Sequence, residues 1–253
     1  MRLTTDALII RENNNIGEAD RFVTALTREL GLVRASARGA RNLKSRRASA
    51  TQLLSYSRLT LYRGREKYII DEAEPLQMFF ELRSDIDKLA LAQYFCELTG
   101  VLAPAEEPAG DFLRLLLNGL AYLENGKRAA QLIKAVVELR MLALAGYMPA
   151  LTACHVCGHT EDDTMWLSPI AGNLTCSACR PPAGSIALPP NLLAAMRHIV
   201  YAPADKVFAF TMPEASLAAL ADAAERFLLA QLQRDFKTLA FYHSLSQTGF
   251  SAQ

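Results

Sequence analysis

The chain has 253 residues, of which 51% are hydrophobic and 21% charged, with a formal net charge of +1. That length holds one large domain or two to three small ones with a real core, and the composition excludes a disordered chain. The near-zero total conceals an asymmetry. Residues 1–70 carry 14 Lys and Arg against 6 Asp and Glu, whereas residues 71–253 carry 13 against 20. A basic first part points to a polyanionic partner and says nothing about fold.

The first 75 or so residues read as short strands. Thr4–Ile10, Arg21–Thr27, Ser57–Gly64 and Lys67–Asp71 have β-branched and aromatic content. In LVRASARG, Val33, Ala35 and Ala37 alternate with Arg34, Ser36 and Arg38. Period two puts the apolar set on one sheet face and both arginines on the other. Glu29-Leu30-Gly31 and Arg63-Gly64-Arg65 supply turns. Five short strands in this span predict a small barrel or sandwich, and pattern alone does not separate an OB barrel from an SH3-like one.

After Pro75 the signal turns helical. Phe112, Leu115, Leu116, Gly119, Leu120 and Leu123 share a helix face, and Leu132, Val136 and Leu139 continue the spacing until Gly146 and Pro149. Ala103–Gly110 is a loop. Pro189-Pro190 open a helix through Val200, and Leu217 to Leu228 mark another. The uncharged stretch Met141–Thr160 is no membrane span, because Gly146 and Pro149 break it. The apolar run Ala7–Ile10 is too short for a secretory signal, so the expected compartment is the cytoplasm, where thiols stay reduced.

Between the helical blocks stands Cys154-His155-Val156-Cys157, then eighteen residues, then Cys176-Ser177-Ala178-Cys179. C-x2-C-x18-C-x2-C is metal-site spacing, and four thiolates close a tetrahedral shell around a structural Zn2+. Gly158 and Gly172 give the turns freedom. The alternatives are a metal-free knuckle or a redox dithiol; the latter belongs beside a βαβ pattern, which is missing. His155 and His159 are alternative ligands. Cys96, in the helical stretch LAQYFCELTG, reads as a buried core thiol.

The tract from Arg34 to Arg47 holds six cations, Arg34, Arg38, Arg41, Lys44, Arg46 and Arg47, with no acid between Glu29 and Glu66. Guanidinium forks match phosphate oxygens, so a cationic loop beside a barrel face holds a nucleic-acid backbone without reading sequence. A charge run is otherwise a solvated loop. Tyr56, Tyr62 and Tyr68 are stacking candidates, although such residues are more often half-buried strand aromatics. Enzyme motifs are missing. GLAYLENGK has the wrong spacing for a P-loop, and H-E-x-x-H and G-x-S-x-G do not occur. The chain therefore reads as a non-enzyme.

GEADR (Gly17–Arg21), TRELGLVRASARGAR (Thr27–Arg41), KSR (Lys44–Arg46) and ELRMLALAGYMP (Glu138–Pro149) before the first cysteine pair together resemble the bacterial RecO recombination-mediator family. The resemblance implies an α+β multidomain fold. An N-terminal OB-fold β-barrel (1–78) would precede a mostly α-helical domain (79–150 and 185–253) with an inserted four-cysteine zinc module (151–184). It implies sequence-nonspecific binding of single- and double-stranded DNA and strand annealing. It further implies loading of RecA, with RecR, onto strands coated by single-stranded DNA-binding protein. DNA contacts fall on Arg34, Arg38, Arg41, Lys44, Arg46 and Arg47. Arg128, Lys134 and Arg140 are candidates for the acidic tail of the single-stranded DNA-binding protein. Val137 departs from the family pattern, which often has an aromatic before the Glu-Leu. Two rivals remain, a zinc-ribbon protein acting on RNA and a protein scaffold whose basic loop meets an acidic partner.

Overall fold

The computed structural model describes residues 2–13, 20–40, 42, 45, 47–64 and 67–248. Five strands come first: β1 (Arg2–Asn13), β2 (Arg21–Thr27), β3 (Gly31–Ala37), β4 (Ser55–Arg63) and β5 (Tyr68–Met78). They close into a barrel of order β1-β2-β3-β5-β4. All pairings are antiparallel except the closing one, where β3 meets β5 in parallel at Ala35–Tyr68 and Ser36–Ile69. This is the OB-like barrel expected, with the helical region after it.

Period two builds the barrel interior. Ala7, Ile9, Val23, Ala25, Val33, Ala35, Leu59, Leu61 and Ile70 form its core. Leu8 and Ile10 have the opposite parity and are buried too. Their face of β1 is covered by α2 (Ile86–Leu102), where Gly100 lies against the Ile10 side chain.

The strands run longer than their sequence signals. β1 extends to Asn13, and β5 continues through Pro75 to Met78 rather than stopping at Asp71. Pro75 is tolerated because the β4–β5 register slips there, Ser57 facing Pro75 and Tyr56 facing Gln77. A proline at a bulge breaks no ladder bond. β3 ends at Ala37, so Arg38 lies in the following turn and not in the strand. Between β3 and β4, where a loop was expected throughout, one helical turn, α1 (Arg47–Ala50), forms.

Asp85 caps α2, its carboxylate accepting from the Asp87 and Lys88 amides. α3 (Gly110–Asn125) buries the expected Phe112, Leu115, Leu116, Gly119, Leu120 and Leu123. α4 (Ala130–Leu144) follows, then β6 (Ala150–Cys154), β7 (Met165–Leu167), β8 (Asn173–Cys176) and β9 (Ile186–Leu188) in a sheet of order β6-β8-β7-β9. α5 (Pro190–Tyr201) starts on proline as expected; α6 (Glu214–Leu232) and α7 (Lys237–Thr248) complete the chain. Among the described residues no helix is long and apolar enough to cross a membrane.

Packing divides the chain into two compact units, Met1–Asn125 with Phe236–Gln253, and Gly126–Asp235. In the first, α7 lies on α2: Phe236 meets Tyr94 edge-on at 5.7 Å, and Glu97 accepts from the Thr238 amide at 3.1 Å. The segment 103–109 grips the β2–β3 turn, with Leu32 N–H donating to Pro104 O (2.8 Å) and Ala109 N–H to Arg28 O (3.0 Å). Gly31, at φ +58°, sits under this segment, and an added Cβ would lie 2.2 Å from Pro104 O. In the second, α4 packs on α6 around an ion triad in which Lys134 and Glu138 are buried and Glu225 is partly so. Lys134 Nζ lies 2.8 Å from Glu138 and 2.7 Å from Glu225.

A cationic barrel face and a tetracysteine centre

The β2–β3 hairpin sets the first site. Arg34 faces Thr24 and Ser36 faces Phe22 across the hairpin. Period two therefore places Phe22, Thr24 and Arg34 on the outer face, opposite Val23, Ala25, Val33 and Ala35. Arg34 and Arg38 are exposed. Among the described residues neither forms an ion pair, whereas Arg2, Arg58 and Arg63 of the same barrel are each paired with a carboxylate. Arg47 begins α1 half-buried and donates to the Arg38 carbonyl at 3.4 Å. Arg38 and Arg47 thus meet at the two ends of the basic loop. Arg41, Lys44 and Arg46 lie outside the described residues.

One outer-face residue escaped the sequence reading. The half-buried Phe22 ring lies under Lys67 Nζ, 4.0 Å from the ring centroid, a cation–π pair. Its parity, opposite to that of Val23, was the signal. Of the three tyrosines, Tyr62 is 53% exposed, while Tyr68 packs against the barrel core. Burial and the Asp6 carboxylate push the half-buried Tyr56 phenol upward.

The helical cations are differently placed. Arg128 Nη1 donates to Phe210 O at 3.1 Å, and Arg140 Nη1 donates to the Val200 and Ile199 carbonyls at the end of α5. Lys134 is buried. Burial alone would lower its pKa, but Glu138 and Glu225 outweigh that and raise it, so the ammonium is held charged inside the unit rather than presented at its surface.

The second site gathers Cys154, Cys157, Cys176 and Cys179, whose four sulfurs all lie within 4.8 Å of one another. Cys154 ends β6 and Cys176 ends β8. Gly158, at φ +77°, closes the first knuckle by donating to Cys154 O at 2.9 Å. Asp162 fixes the second by accepting from the Ser177 amide at 2.8 Å; that bond holds its carboxyl below the usual range. His155 turns away, Nδ1 lying 2.9 Å from Leu174 O.

The arrangement fits a thiophilic divalent cation. Metal–sulfur bonds of about 2.3 Å in a tetrahedron require sulfurs about 3.8 Å apart; Cys157 Sγ and Cys176 Sγ are 3.6 Å apart. The thiols are also unequal. The Cys157 backbone N–H, against the opposing effect of burial, draws the Cys154 pKa down to about 6. The Cys157 and Cys176 sulfurs push Cys179 up to about 12, and burial pushes Cys176 up. Four sulfurs this close share negative charge only in company with a cation.

A closed five-stranded barrel followed by helices that carry a tetracysteine module defines a modular protein headed by an OB-like barrel. Residues 1–79 match the family model described as "Recombination protein O N terminal", and residues 83–240 match "Recombination protein O C terminal". The chain is 30% identical to a DNA repair protein RecO of Acetivibrio thermocellus, covering 97% of this chain and 98% of the relative. It is 35% identical to one of Roseiflexus sp. (96% and 86%) and 34% identical to one of Nocardioides sp. (94% and 98%). The chain belongs to the RecO family of DNA-repair proteins.

Proposed function

We propose that this chain binds single- and double-stranded DNA without sequence preference and anneals complementary strands, acting as a recombination mediator. The observation that carries this is the counter-charge pattern of the barrel. Arg34 and Arg38 stand exposed with no ion-pair partner among the described residues, while Arg2, Arg58 and Arg63 of the same barrel are neutralised. Cations left unneutralised by the protein are available to phosphates. In this reading Arg41, Lys44, Arg46 and Arg47 are further contacts to the DNA backbone. The Phe22 ring offers a π-face for a base beside them.

No bond chemistry is needed. Annealing is assisted when two mutually repelling backbones are neutralised while their bases stay free to pair. In this reading Zn2+ is held by Cys154, Cys157, Cys176 and Cys179 and serves the fold of the 151–184 module, with the barrel at 1–78 as the DNA-binding part. RecR and the acidic tail of single-stranded DNA-binding protein are the direct partners, and RecA is served indirectly. Arg128 and Arg140 are the tail contacts of the helical domain; Lys134, held inside by Glu138 and Glu225, supports that domain and does not itself meet the tail. The protein works in the cytoplasm, at the nucleoid during repair.

The test is binding of a labelled oligonucleotide across a salt series. With about five phosphates neutralised, log K falls against log salt with a slope near −4. Replacing Arg34, Arg38, Arg41, Lys44, Arg46 and Arg47 with Ala should remove both the affinity and most of the slope. If that variant binds like the native chain, DNA contact lies elsewhere. If native protein fails to bind at low salt, the DNA reading is wrong.

A further inference from the structure

The GEADR motif has no role in the contacts proposed so far, yet its last two residues reach both ends of the basic loop. Asp20 Oδ1 accepts from the Gly39 amide at 2.9 Å, in the turn that leaves β3. Arg21 Nη1 donates to the Ala48 carbonyl at 2.7 Å and to the Thr51 hydroxyl at 3.2 Å, at α1, where the loop ends. The Arg21 side chain is 13% exposed, and its Nε lies 3.5 Å from Glu12 Oε2. Glu12 in turn accepts from the Leu53 amide through its other oxygen. Gly39 stands at φ +65°, so its N–H is aimed by a backbone conformation that few other residues adopt.

We infer that Asp20 and Arg21 form a clasp that positions the cationic loop, and are not themselves DNA contacts. Two consecutive residues, one acid and one base, hold the two ends of a segment that starts after β3 and returns at α1. The clasp fixes the spacing of Arg38 and Arg47, which adjoin the held Gly39 and Ala48 in sequence and meet where Arg47 Nη1 lies 3.4 Å from the Arg38 carbonyl. Fixing the ends lowers the ordering entropy lost when a phosphate backbone is engaged. It also explains why a negative side chain is tolerated beside a surface built for a polyanion. The acid is occupied by a backbone amide.

The inference rests on the DNA reading for its purpose, and its test separates the two. Asp20→Ala and Asp20→Asn each remove one negative charge, so by charge alone both variants should bind DNA slightly tighter than native protein. Only Asn keeps an oxygen to accept the Gly39 amide. With the clasp, Asp20→Asn binds as well as native or better. Asp20→Ala binds about eightfold more weakly at 0.1 M salt for every phosphate it no longer engages, with a slope shallower by about 0.9 per phosphate. Arg21→Lys, which keeps the charge but not the fork, should weaken binding in the same direction.

A second readout needs no DNA. Trypsin cleavage of the full-length protein between Arg38 and Arg47, followed by mass spectrometry, should be severalfold faster in Asp20→Ala than in Asp20→Asn at equal melting temperature. If Ala and Asn variants bind alike and are cut alike, there is no clasp. If the native chain does not bind DNA while Asp20→Ala still accelerates cleavage, the clasp stands as a loop device and its link to DNA falls.

Discussion

Two single residues bear more than their neighbours. At Gly31 a Cβ would sit 2.2 Å from the Pro104 carbonyl and 2.7 Å from that of Glu107, at a backbone angle of +58°. Neither carbonyl belongs to a flexible side chain. Gly31→Ala should therefore destabilise the protein by about 3 kcal/mol or more in urea unfolding. An Ala at Gly126, where nothing lies within 4 Å of the added carbon, should cost only the backbone strain. Lys134→Met would leave the buried Glu138 and the partly buried Glu225 without the cation they share. The expected loss is about 3–5 kcal/mol. The sign of its pH dependence follows from the raised pKa. The stabilising charge is fully present below the ordinary lysine range and is lost only as pH rises through the higher folded value. Unfolding free energy of the native chain should thus hold no Lys134 step between about pH 6 and 9. The Gly31 turn was legible from its Glu-Leu-Gly sequence. The triad was not, because Glu225 is distant in sequence and nothing local marks it as a partner of Lys134.

At the scale of elements, the tetracysteine sheet is built from strands of three to five residues, β6 to β9. Such strands are too short for period two to register, so the cysteine spacing predicted the site while the sheet went unread. The strands nevertheless bury Leu151, Met165, Leu167, Leu174, Ile186 and Leu188, and a metal held by the four cysteines would add folding free energy on the order of 10 kcal/mol. The chain's one tryptophan, Trp166, lies in β7. Chelation, or Cys154→Ser, should shift Trp166 emission while far-ultraviolet helicity changes little, since that signal comes from α2 to α7, outside the four strands. Unchanged emission after complete metal removal would show that the sheet stands without metal. Cys96 provides an internal control. Burial pushes its thiol up to about 12, so a thiol reagent should label the four module cysteines after chelation and leave Cys96 untouched until the protein unfolds. α2 was legible as helical over Leu91–Gly100. α7 was unread: its apolar residues are interleaved with polar ones that find partners, as Thr238 does on Glu97, and such a face leaves no clear hydrophobic stripe.

For the whole molecule, charge is partitioned along the chain, basic before residue 70 and acidic after it. The barrel should accordingly dominate DNA affinity, and raising salt from about 50 to 200 mM should weaken binding by about two to three decades if five phosphates are engaged. A loss of less than tenfold would mean that the asymmetry serves something other than a nucleic-acid backbone. This partition was readable by counting. The barrel was readable from alternation in β2, β3 and β4; its closure was not, since the parallel β3–β5 pairing involves only Ala35–Tyr68 and Ser36–Ile69.

The seating of α7 on α2 has a consequence for the ribosome. The first unit needs residues 236–248, so it cannot be completed until α7 has been made, even though its barrel is synthesised first. Residues 126–235 are contiguous and free to fold as they appear. Synthesis order and folding order are therefore reversed for part of the molecule. Until translation reaches α7, the α2 surface around Tyr94 stays uncovered, and a stalled or truncated chain would present it to chaperones and proteases.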